Sequence, residues 1–179
     1  MRTIRYGNAE VRLIERDWDV ADRANYRMTY RLTPGEHWRD APESDGQFEY
    51  YVNLDGEVMP VGVAIARELL AEGADWACFT ELWGKFVIVG ADLICQPLAG
   101  PVGELIDQLR AANGDRLGGL PDVLAGFPDG QIAMREAKTP RSADRLRANQ
   151  HRFADVARMV LGDRLDLAVV EWGPLTSPG

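Results

Sequence analysis

Residues Leu120–Lys138 read LPDVLAGFPDGQIAMREAK, and the rest of the chain is organised around them. Two short apolar runs flank Phe127-Pro128-Asp129-Gly130. Pro fixes φ, and Asp-Gly tolerates the left-handed backbone that a hairpin turn needs. A hairpin folded symmetrically about Asp129 sets opposite each other residues whose numbers add to 258, so Asp122 faces Glu136. Strand side chains alternate with period two, which puts Lys138 on the face of Glu136. Two carboxylates and one amine then meet at the open end of the hairpin. Facing acids repel each other, so the arrangement is costly unless a cation lies between them.

A solvated hairpin with scattered charges is the plain alternative, and an isolated Glu-x-Lys carries little meaning. Three features argue for more: Pro121 directly before Asp122, acids spaced across a turn, and apolar neighbours on both runs. Val123, Leu124, Ile132, Ala133 and Met134 predict strands covered on both faces, where unpaired acids would be expensive.

The chain has 179 residues, 46% of them hydrophobic and 27% charged. That is enough for one generous domain with a real core. No apolar run approaches the length of a membrane span, and MRTIRYGNAEVR has no secretory hydrophobic segment. Cys78 and Cys95 have no metal-binding spacing, which points to structural thiols in a reducing compartment. The expected location is the cytoplasm, or a target cell reached without a signal peptide. A net charge of −8 argues against non-specific coating of nucleic acid, but leaves room for one local basic patch.

Residues 1–60 read as a β-rich extension. Glu10–Trp18 and Tyr26–Thr33 alternate in part, Pro34-Gly35 ends the second, and Gln47–Asn53 and Glu57–Met59 flank a hairpin turn. Pro60 opens a helix over Val61–Glu72, stopped by Gly73. An apolar stretch with one awkward acid, Glu81, follows. A second helix is expected over Pro101–Ala112 and ends at Asn113-Gly114. After Lys138, Asp144 is the expected N-cap of a helix to Leu161. There Leu146, Gln150, Phe153, Ala157 and Val160 form one stripe and turn the Gln150 amide inward. Asp166–Trp172 is the last buried strand. The fold class is α/β or α+β, a mixed sheet flanked by helices, with the core over residues 61–173 and a tail at 174–179.

Gly119-Leu120-Pro121-Asp122, Glu136-Ala137-Lys138, Pro140, Asp144-Arg145-Leu146 and Gln150 resemble the VRR-NUC branch of the PD-(D/E)xK nucleases. The likeness covers residues 119–172. A fainter one reaches upstream to the Fanconi-associated nuclease type, where a metal-binding Glu begins an apolar helix. EGADWACFTELW is similar to that arrangement and makes Glu81 the additional acid, with Glu104 the runner-up. Thr139 replaces the glycine after the lysine, the loop to Asp144 is longer, and Arg135 replaces an apolar residue.

The resemblance implies a restriction-endonuclease-like core and a DNA-cutting hydrolase dependent on Mg²⁺ or Mn²⁺. Asp122, Glu136, the Ala137 carbonyl and Glu81 would hold the ion, whose taste for oxygen ligands they suit. Lys138 would position or activate the attacking water, and Gln150 would orient Lys138 or a phosphate. From Arg135 to Arg158 there are seven Lys or Arg against three Asp or Glu. Arg141, Arg145, Arg147 and Arg152 are therefore the expected phosphate contacts. DNA is the expected partner and a membrane is not. A homodimer is allowed and, for a toxin, a cognate immunity protein. Repair or junction processing, phage DNA processing and an antibacterial toxin nuclease all remain open as roles. The alternative class is a catalytically silent nuclease-fold module that binds DNA or protein. A small-molecule enzyme lacks any nucleotide loop or triad signature.

Overall fold

The computed structural model describes residues 1–20, 51–80, 86–90, 94–139 and 145–173. Turn chemistry sets the first element. Thr3–Tyr6 (β1) and Ala9–Arg16 (β2) alternate exposed and buried residues about the Gly7-Asn8 turn and pair antiparallel. Asp19–Val20 (β3), Tyr51–Leu54 (β4) and Glu57–Pro60 (β5) form a separate three-stranded sheet. Its β4–β5 turn lies at Asp55-Gly56, both with positive φ, as short hairpins require. The expected strand over Tyr26–Thr33 lies outside the described residues.

Pro60 opens helix α1 (Val61–Ala71). Trp76–Phe79 (β6), Phe86–Val89 (β7) and Ile94–Pro97 (β8) form an antiparallel meander. The described parts of the apolar stretch after α1 run as strands, and Glu81, where the fainter resemblance expects a helix to begin, lies outside the described residues. The β-branched and aromatic residues of these strands favour the pleated, half-buried surface of a sheet. Helix α2 (Gly100–Ala112) follows, then β9 (Val123–Gly126), β10 (Ile132–Lys138), α3 (Ala148–Leu161) and β11 (Leu165–Trp172).

These strands make a mixed eight-stranded sheet in the order β1-β2-β11-β10-β9-β6-β7-β8. β10 and β11 are parallel, joined through α3, and β2 runs parallel to β11. The first hairpin, read from sequence as part of an extension, thus belongs to the main sheet. The protein is a mixed α/β structure with three α-helices among the described residues.

Two cores lie on opposite faces of the sheet. Leu124, Met134 and Val169 pack with Ile106 and Leu109 of α2 and Phe153 and Ala157 of α3. Val123, Ala125, Ala133 and Val170 pack with α1 and with Tyr51 and Met59 of the small sheet. Both faces of β9 and β10 are therefore covered, which is why these strands read as near-continuous apolar runs. No helix among the described residues is long and apolar enough to cross a membrane.

Candidate metal and phosphodiester site

The β9–β10 hairpin has the register expected from its turn. Gly126 pairs with Ile132, Ala125 with Ala133, Leu124 with Met134 and Val123 with Arg135. Gly130 N–H donates to Phe127 O and Gln131 N–H to Asp129 Oδ1, which close the turn. Asp122 therefore shares the face of Leu124, and Glu136 and Lys138 share that of Met134. This is the α3 side of the sheet.

Asp122 is held from two sides, by Thr80 and by Ala137. Its carbonyl accepts Thr80 N–H at 2.8 Å, and Thr80 Oγ1 donates to Pro121 O at 2.6 Å. Its side chain, through Oδ2, accepts the Ala137 N–H at 2.8 Å. The approach to Asp122 passes under the first turn of α3. Gly119 has φ +97°, and a Cβ there would fall 2.2 Å from Asn149 O, so only glycine fits.

Glu136 is buried at 1% exposure. Its Oε1 accepts Lys138 Nζ at 2.8 Å and also Gln150 Nε2. Gln150 Oε1 in turn accepts Arg147 N–H at 2.8 Å, so one amide both caps α3 and clasps the acid. This bond also explains why α3 begins at Ala148, later than the N-cap expected at Asp144, which lies outside the described residues. Lys138 is only 13% exposed in its side chain. Burying that pair is costly, and the added hydrogen bond from Gln150 offsets part of the cost.

Tyr6 was not foreseen. It is fully buried at the end of β1, and its hydroxyl makes no hydrogen bond of ordinary geometry. Burial, then the charges of Glu136 and Asp122, push its phenol well above the ordinary value, against a smaller pull from Arg158. The only signal in the sequence was the Gly7-Asn8 turn after an alternating run. Nothing in the spacing tied that run to residues at the other end of the chain.

Arg135, the departure from the apolar residue of the resemblance, is buried and donates to Asp166 O at 2.6 Å and Asp166 Oδ2 at 2.5 Å. Arg12 Nη2 adds 2.7 Å contacts to both Asp166 carboxylate oxygens. Burial alone would raise the Asp166 carboxyl, but Arg135 and Arg12 outweigh it and hold it below its ordinary 3.8. This cluster ties β10 to β11 and β2 on the opposite face from Glu136.

The structure brings Asp122, Glu136, Ala137, Lys138 and Gln150 together. Arg145, Arg147 and Arg152 are exposed where the chain enters α3. Glu81 and Arg141 lie outside the described residues, although Thr80, the neighbour of Glu81, is bonded to Asp122. Glu104 is exposed on α2. Among the described residues there is no group of three His, Cys, Asp or Glu that could hold a metal. Two carboxylates on adjacent strands nevertheless fit a small hard cation that keeps several waters and shares substrate phosphate oxygens, the habit of Mg²⁺.

Comparison with protein-family models, with curated proteins and with solved structures finds no match to this chain.

Proposed function

We propose that this protein is a Mg²⁺- or Mn²⁺-dependent nuclease that hydrolyses DNA phosphodiester bonds, acting endonucleolytically on a PD-(D/E)xK core of the VRR-NUC kind. The observation that carries the reading is the convergence of Lys138 and Gln150 on Glu136, with Asp122 on the neighbouring strand of the same face. The order α1, β6, β9, β10, α3, β11, with β6, β9 and β10 antiparallel and β11 parallel to β10, supports it.

Asp122 and Glu136, with Glu81 as a third acid, would hold the ion. When bound, such an ion supplies Lewis acidity and a water of lowered pKa. Asp122 is braced by Ala137 and Thr80, so its carboxylate is set before any ligand arrives. Lys138, an ammonium on a carboxylate, is a donor; it offers positive charge to an incoming phosphate rather than acting as a base. Gln150 fixes Glu136 and so keeps the Lys138 partner in place. The exposed arginines at the entrance to α3 would guide the phosphate backbone.

The test is plasmid cleavage by the purified protein with Mg²⁺ or Mn²⁺, with and without EDTA. Cutting that EDTA abolishes is expected, and so is its loss in Lys138→Ala while Mn²⁺ still raises the melting temperature. Wild-type cutting by Lys138→Ala would place the activity elsewhere or in a contaminant. A second reading, a silent DNA-binding module, draws on the absence of a three-acid group among the described residues. DNA retention in a gel shift without cutting under any metal would favour it.

A further inference from the structure

Tyr6 closes β1, and the turn after it is fastened to α3. His151 Nδ1 accepts Gly7 N–H at 2.9 Å, and Asp155 accepts Asn8 N–H at 2.7 Å and Asn8 Nδ2 at 2.9 Å. Gly7 has φ +70°, and a Cβ there would fall 2.2 Å from Asp155 Oδ1. The turn therefore lies directly on the helix. The Tyr6 ring meets His151 edge-on, with centroids 6.0 Å apart and planes at 88°. These contacts hold Tyr6 against α3 at His151, the residue after Gln150, whose amide donates to Glu136.

A buried hydroxyl without an ordinary partner requires an explanation. The Glu136 carboxylate is the strongest charge acting on it, and a neutral phenol beside a carboxylate acts as the donor. Arg158, held by Asp155 at 3.3 Å, is the α3 cation whose charge opposes the upward shift in the phenol. We propose that Tyr6 is a positioning residue: its hydroxyl donates to the Glu136 carboxylate and, together with Lys138 and Gln150, fixes that carboxylate for cation binding. The N-terminal hairpin then joins Asp122, Glu136, Lys138 and Gln150, which come from the second half of the chain. This inference rests on the metal-dependent reading above. Partners of this kind, one step removed from the ion, commonly change metal affinity by tenfold or more.

The test uses the full chain and Tyr6→Phe, which keeps the ring against His151 and removes only the hydroxyl. Calorimetric titration with Mn²⁺ alone should show affinity lowered about tenfold, with melting in EDTA close to wild type. A Raman difference between wild type and Tyr6→Phe in EDTA isolates one phenol. It should show the doublet ratio of a strong donor, and Glu136→Gln should weaken that signature. Absence of the donor signature overturns the proposal whatever the metal does. Equal Mn²⁺ affinity in wild type and Tyr6→Phe also overturns it and leaves the nuclease reading standing. If wild type binds no Mn²⁺ yet shows the donor signature, the metal reading fails while the Tyr6–Glu136 bond stands.

Discussion

Asp122 Oδ2 accepts the backbone N–H of Ala137 at 2.8 Å, just past the last paired residues of the hairpin, Val123 and Arg135. The side chain thus takes over where backbone pairing stops, and one carboxylate serves both sheet and site. Asp122→Ala should destabilise the metal-free protein by about 1–3 kcal/mol, the cost of a buried donor left unsatisfied. Asp122→Asn keeps an acceptor and removes a charge that repels Glu136, so it should melt close to wild type or above it. Both should lose the rise in melting temperature that millimolar Mn²⁺ gives. Thermal melts with Mn²⁺ and with EDTA check all three.

Gly119 sets how closely the strand bearing Asp122 approaches α3. Gly119→Ala should cost more than about 1 kcal/mol, because its φ is unsuited to a side chain and its Cβ would strike Asn149 O. Displacing the Asp122 approach should also remove cleavage. Urea unfolding and plasmid nicking measure the two losses separately. Full activity in this variant would show that the backbone contact does not set the site.

Arg145, Arg147 and Arg152 are exposed beside Gln150. Replacing all three with Ala should weaken DNA binding without unfolding the protein. Each lost phosphate contact releases one counterion fewer, so the slope of log affinity against log salt should fall by about 2–3. A salt series by fluorescence anisotropy checks this, and an unchanged slope would make the face merely solvated.

The depressed Asp166 carboxyl sets a limit on acid stability. Its folded value lies below the ordinary 3.8, so its contribution is fully present above about pH 4 and is lost as pH falls through the folded value. Wild type should therefore lose stability more steeply below pH 4 than Asp166→Asn does. The side chain is 37% exposed, so solvent screens the effect and a modest difference is expected. Urea midpoints from pH 2.5 to 6 measure it.

The hairpin register was legible because it is local. Pro-Asp-Gly closes the turn, the period of two does the rest, and Asp122, Glu136 and Lys138 fall on one face without reference to any other element. The helical period likewise turned Gln150 inward before any partner for it was known. The start of α3 was misplaced, since Asp144 has the chemistry of a cap. The backbone instead begins its helix where the Gln150 amide, already engaged with Glu136, can accept Arg147 N–H.

What the sequence determined by itself were relationships within one hairpin and along one helix, where covalent spacing fixes which side chains share a face. The tertiary structure alone decided three others. β2 lies beside β11, Thr80 braces Asp122, and Tyr6 stands against His151 of α3. These are pairings between residues far apart in the chain. They depend on how the sheet is ordered and which face α3 covers, and no periodicity or turn records that choice.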